Sequence, residues 1–219
     1  MGIEEPDVVH CARLASGFTY FIVYGVCSHT VDYREFREEG GDRRYRNKAE
    51  VEELIRSRLG RDMVVVGAST GSDAHTVGLD AILNLKGFDG EPGLEAYDGI
   101  RVYNLGSQVP NEQLVSTAIR VQADAILVAQ TVTQQQLHIR NLTQLVDIVE
   151  AEGLRERVLL ICGGPRLSNE LAKELGYDAG FSKGCYPTQV ASYIIDELIA
   201  RAGKTTARTI RSPGEAACG

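Results

Sequence analysis

The chain has 219 residues, 43% of them apolar and none of them Trp, which is enough to bury one ordinary domain plus an appendage. A net charge of -7 argues against nucleic acid or an anionic membrane as the main partner, because both repel an acidic surface. Five scattered cysteines (Cys11, Cys27, Cys162, Cys185, Cys218) without C-x-x-C spacing exclude a disulfide framework or zinc knuckle, and with no membrane-length apolar run and no signal-peptide pattern the expected compartment is the cytoplasm.

In chain order, "GFTYFIVYGV" at 17–26 reads as an aromatic and β-branched strand. A mixed-charge stretch around Gly40-Gly41 reads as a linker, followed by a helix at about 48–59. From there the pattern alternates. Short apolar runs at 63–67, 100–104, 125–129, 158–162 and 178–181 are strands, separated by helical spacing over 77–86, 110–121, 134–151 and 168–174, with a last helix over 187–201. Pro110-Asn111-Glu112 and Ser168 with Glu170 open helices, and Gly87 and Gly153 close them. Strands alternating with helices predict an α/β fold: a flavodoxin-like, Rossmann-type, five-stranded parallel sheet covered on both faces. The expected organisation is an N-terminal extension and linker at 1–47 making a dimerisation or subunit contact, an α/β domain at 48–202, and a polar, disordered tail at 203–219. One strand is not stable alone, so the extension must pack on something.

The stretch "GASTGSDAHTVGLDAILNLKG", 67–87, follows the first sheet strand and therefore lies at a strand's carboxyl end, where open α/β sheets bind ligands. A lone histidine in a glycine-rich loop is more often a surface residue than a metal ligand. Here Asp73 precedes His75 by two residues, so its carboxylate can hold the ring's Nδ1–H and leave Nε2 as a donor to a metal. Gly71 and Gly78 allow close approach of a large ligand. No second His, Cys or acid stands at zinc spacing nearby, so a metal bound here would bring most of its own ligands, as a macrocycle does. Gly67–Gly71 lacks G-x-G-x-x-G spacing and a Walker lysine, which sets a nucleotide-phosphate site low. Lys86, read as the last turn of a helix over 77–86, would be about 16 Å from His75 and needs no function beyond favouring the helix dipole.

"DAHTVG" fits the D-x-H-x-x-G signature of adenosylcobalamin mutases. Together with "YFIVYGVCSHTVDY", "YNLGSQVPNEQL", "ADAILVAQTVTQQQLHIRNL" and "LLICGGPRLSNELAKELGYDAGF", it resembles the small, cobalamin-binding β subunit of lysine 5,6-aminomutase, with the ornithine 4,5-aminomutase cobalamin domain as a relative. The similarity runs from about residue 18 to residue 200.

That resemblance implies an isomerase using adenosylcobalamin (cobalt) and pyridoxal phosphate (PLP) to move an amino group on D-lysine or β-lysine, with D-ornithine the second candidate. It implies His75 as the cobalt's lower axial ligand and Asp73 as its support, with Ser72, Ala74, Thr76 and Gly78 around the corrin. Ala129, Gln130, Thr131, Thr133, Gly163, Gly164, Phe181 and Gly184 would line the channel for the displaced nucleotide tail. Cobalamin domains of this class usually carry Ser-x-Leu where this chain has Ala129-Gln130-Thr131, so the tail's hydrogen-bond partner would be the hydroxyl of Thr131 or of Thr133, or a water. Lys86, eleven residues after His75, would form the Schiff base with PLP. The implied partner is a large PLP-binding TIM-barrel α subunit in a heterotetramer. The rival is a non-catalytic corrinoid carrier or sensor, which would need His75 but not Lys86.

Overall fold

The computed structural model describes residues 3–15, 18–27, 45–131 and 137–210. Two compact units divide the chain, Met1–Arg44 and Tyr45–Gly219.

The first unit contains two antiparallel strands, β1 (Ile3–Ala15) and β2 (Phe18–Cys27). Only β2 is expected from the sequence. β1 escapes because "IEEPDVVHCARLA" carries Pro6 and four charges, which demote it as a strand. The ribbon accommodates the proline where the pairing register slips, between Glu4 opposite Val26 and Asp7 opposite Tyr24.

The second unit is the predicted α/β fold. Its parallel sheet has the order β4 (Ile100–Asn104), β3 (Met63–Ser69), β5 (Ala125–Ala129), β6 (Leu159–Gly163), β7 (Ala179–Phe181). Its first strand thus lies between its second and third, the doubly wound order, with the switch point between β3 and β5. β3 and β5 are apolar almost throughout because helices cover both faces. On one face α3 (Asn111–Val121), α4 (Leu137–Ala151) and α5 (Asn169–Glu174) enclose a core including Val66, Leu114, Leu142, Leu145 and Leu160. On the other, α1 (Lys48–Leu54, carried on to Leu59 by a π-helical turn), α2 (Val77–Leu83) and α6 (Pro187–Ile210) enclose Val51, Met63, Leu83, Leu127, Leu159 and Ile194.

Helix ends follow local chemistry. Asn47 and Glu50 form a reciprocal capping box at α1, and the Ser168 side chain accepts from Leu171 N–H at α5. After α4, Gly153 N–H donates to Glu150 O and Leu154 N–H to Val149 O, a Schellman closure with Gly153 at φ 65°. Two expected helix ends need correction. α2 stops at Leu83, not 86, because Asn84 turns extended (ψ 150°). α6 continues to Ile210, past the disordered tail expected from Gly203, since Ala202, Lys204, Ala207 and Arg208 are helix formers that carry one glycine. The remaining tail and the linker lie outside the described residues. No helix among the described residues is long and apolar enough to cross a membrane.

Candidate functional site

The loop after β3 runs along the sheet's carboxyl edge and is tied there by backbone hydrogen bonds. Ser69 N–H donates to Gly106 O, Gly71 N–H to Val109 O, and Gln108 N–H to Asp73 O at 3.0 Å. These bonds place Ser107 and Gln108 at the rim of the same edge. The Ser69 hydroxyl donates to His75 O at 2.6 Å.

Asp73 is buried, its side chain only 2% exposed, while the His75 ring is 73% exposed. His75 Nδ1 stands 2.8 Å from Asp73 Oδ1, which also accepts His75 N–H at 2.9 Å. Asp73 Oδ2 accepts the N–H of Thr131 and, at 2.9 Å, its hydroxyl. Burial works to raise the Asp73 pKa, but the hydrogen bonds from Thr131 and His75 together outweigh it and hold the carboxyl below its ordinary value. An ionised carboxylate only accepts, so the shared proton sits on Nδ1 and the Nε2 lone pair of an exposed ring is left for a metal. Among the described residues no group of three or more His, Cys, Asp or Glu could hold a bare ion. The donor set therefore fits a metal that arrives with its other ligands, as the cobalt of cobalamin does. Burial pushes the Cys162 and Cys185 thiols up to about 12, so neither offers a thiolate.

The structure gathers some of the expected residues and separates others. Asp73, His75 and Thr131 meet at the switch point. Gln130 N–H donates to Gly163 O and Gly164 N–H to Phe181 O at 3.2 Å, linking the ends of β5, β6 and β7. Thr131 spends its hydroxyl on Asp73. A Cβ at Gly164 would stand 2.0 Å from Gln130 O, so the backbone crossing alone requires glycine there. Gly78 and Gly184 face open space, and Ser72 and Ala74 are exposed. Thr76 is half-buried and precedes α2, and Ala129 is half-buried at the end of β5. Thr133 lies outside the described residues. Lys86 stands apart, exposed in the turn after α2 rather than in a helix.

Sequence reasoning missed a buried amide network beneath the loop. The Gln130 amide donates to Thr70 O at 2.7 Å and to Thr70 Oγ1 at 2.9 Å, Asn141 Nδ2 donates to Thr70 Oγ1, and Asn111 Nδ2 donates to Asn141 O at 3.0 Å. Its available signal is Asn111, a polar residue in register with the buried stripe Leu114, Val115 and Ala118 of α3. Thr70, Ser72, Gln130 and Asn141 line a cavity of about 260 Å³ beside it. His138 is buried on α4 and has a polar or electrostatic partner there.

Residues 63–189 match the B12 binding domain family, and residues 1–39 match the dimerisation domain of D-ornithine 4,5-aminomutase. The lysine 5,6-aminomutase beta subunit of Fusobacterium nucleatum subsp. nucleatum is 51% identical over 92% of this chain and 76% of its own length. That of Acetoanaerobium sticklandii is 52% identical over 90% of this chain and 76% of its own length. The D-ornithine 4,5-aminomutase subunit beta of A. sticklandii is 34% identical over 60% of this chain and 17% of its own. The chain carries a B12-binding domain and belongs to the lysine 5,6-aminomutase beta subunit family.

Proposed function

We propose that this chain is the cobalamin-binding subunit of an aminomutase that moves an amino group on a diamino acid, with D-lysine or β-lysine as substrate ahead of D-ornithine. The observation that carries the reading is the pair Asp73–His75, a buried carboxylate fixing the tautomer of an exposed imidazole at the switch point of a B12-binding fold.

When bound, adenosylcobalamin would supply a carbon radical through cobalt–carbon homolysis, and PLP would supply the conjugated π-system that shares the unpaired electron as nitrogen migrates. The residues of this chain hold and orient. His75 would offer Nε2 to cobalt, Asp73 would fix the ring, and Thr131 would fix Asp73. Ser72, Ala74, Thr76 and Gly78 would edge the corrin, and Ala129, Gln130, Gly163, Gly164, Phe181 and Gly184 would edge the tail. Lys86 would hold PLP through Nζ, its exposure suiting a group shared with another subunit.

Membership of a subunit family supports a partner subunit, which we assign as a large PLP-binding TIM barrel, two copies of each chain forming a heterotetramer. The match of residues 1–39 to a dimerisation domain supports the N-terminal ribbon as the contact between copies. The absence of a membrane-crossing helix among the described residues suits a cytoplasmic enzyme.

The test is co-expression with the large subunit and assay of D-lysine, β-lysine and D-ornithine turnover, with Lys86→Ala alongside. The reading predicts turnover that Lys86→Ala abolishes while cobalamin remains bound. A complex that binds cobalamin yet isomerises none of these diamino acids would leave the carrier reading in its place.

A further inference from the structure

The loop Asn84–Gly93 that bears Lys86 is held more closely than a surface turn requires. Asp89 and Gly90 have φ of 51° and 84°, and Phe88 and Glu91 exchange both backbone hydrogen bonds at 2.9 Å, a two-residue hairpin of type I′ sense. Beside Lys86 the two arms of the loop cross backbone to backbone. A Cβ at Gly87 would stand 1.9 Å from Glu91 O, and one at Gly93 would stand 2.0 Å from Asn84 O. Leu85 N–H donates to Glu95 Oε2 at 2.8 Å.

The start of α6 grips this hairpin from outside. The Tyr186 hydroxyl donates to Asp89 Oδ2 at 3.0 Å, the Thr188 hydroxyl donates to Glu91 Oε2, and the Phe88 and Tyr186 rings lie 6.0 Å apart. Tyr186 is itself fixed, its N–H donating to Gln189 Oε1 at 2.9 Å. Both hydroxyl contacts go to carboxylates, which makes them charge-assisted. They span 97 residues of sequence, so they fasten the loop to the other end of the domain. Lys86 is exposed and, among the described residues, forms no ion pair of its own.

An amine that must meet a group held by another subunit gains reactivity from being held in place, because each freedom left to the loop lowers its effective concentration. We propose that Tyr186 and Thr188 are positioning residues for Lys86: by gripping Asp89 and Glu91 they fix where Nζ is presented to the PLP of the partner subunit. This inference rests on the assignment of Lys86 made above.

The test uses the whole complex loaded with PLP and cobalamin, without substrate. Borohydride fixes the pyridoxal group on whichever amine holds it, and peptide mapping reads the labelled lysine. Wild type is expected to label Lys86. The double variant Tyr186→Phe with Thr188→Val is expected to lower that label about tenfold while the cobalamin spectrum is unchanged, and Thr188→Ser alone is expected to label like wild type. Should the double variant lose the cobalamin spectrum, Tyr186→Phe alone, which keeps the ring contact with Phe88, is expected to lower the label about threefold. Full labelling of Lys86 in a variant that keeps its cobalamin spectrum overturns the bracing role and leaves the Lys86 assignment intact. No label on any lysine of this chain in wild type overturns both.

Discussion

Asp73 accepts four hydrogen bonds, two from His75 and two from Thr131, and its acid–base behaviour follows from them. A carboxyl whose folded pKa lies below its unfolded value of about 3.9 stabilises the fold above that pH. The contribution disappears as pH falls through 3.9 toward the folded value. Urea unfolding at pH 7, 4 and 3 is expected to show wild type losing stability over the lower interval, with Asp73→Asn losing less across the same interval. Asp73→Asn is also expected to weaken cobalamin binding about 10- to 100-fold, read by spectral titration, because an uncharged amide has one acceptor oxygen for the donors of both His75 and Thr131 and so fixes the ring's tautomer less firmly. The Asp73–His75 pair is legible in the sequence because the two residues stand two apart in an extended loop. Thr131 is not, since its bond to Asp73 spans 58 residues and needs β3 and β5 to be neighbours.

At the scale of elements, the two edges of the sheet differ in chemistry. The carboxyl edge carries the exposed histidine, and the amino edge is fastened by carboxylates. Asp124, just before β5, accepts Val64 N–H at 2.8 Å and a two-pronged bond from Arg61 at 2.6 and 2.8 Å. Asp178, just before β7, accepts Leu160 N–H at 2.7 Å and the guanidinium groups of Arg155 and Arg201. Each carboxylate thus splices one strand to its neighbour while pairing with arginine, Asp124 with one and Asp178 with two. Asp124→Ala is expected to cost about 1–3 kcal/mol in urea unfolding, since it leaves the Val64 N–H without its acceptor while the exposed Arg61 turns to water, with no change in the cobalamin spectrum. Gly87→Ala is expected to cost about 2 kcal/mol or more by the same measurement, for its positive φ and its overlap with Glu91 O. The five strands of the parallel sheet were legible to within two residues because β-branched runs such as "MVVV" have few other fates. The ends of α2 and α6 were not. Whether Asn84 turns extended is decided by the arms crossing at Gly87 and Gly93, contacts that helical periodicity does not encode.

For the whole molecule, one arrangement accounts for both the fold and the site. The order β4-β3-β5-β6-β7 puts the loops after β3 and β5 side by side, which brings Thr131 to Asp73 and leaves His75 facing outward. The N-terminal ribbon shows the opposite economy: Val8, Val9, Phe21, Tyr24 and Val26 are each more than half exposed within this chain. Two strands alone are marginal in water, so those side chains need a cover. Phe21→Glu is expected to shift the chain from dimer toward monomer in sedimentation velocity, with cobalamin binding retained. The ribbon's partner strand was illegible because Pro6 sits at a register slip that only the pairing reveals. The most direct measurement on the central claim is the electron paramagnetic resonance spectrum of the chain loaded with cob(II)alamin, grown with unlabelled or ¹⁵N-labelled histidine and compared with His75→Ala. The account predicts a nitrogen splitting that changes from triplets to doublets on labelling and is lost with His75→Ala. A triplet unchanged by the label would mean that the cofactor keeps its own base, and His75 would not be its ligand.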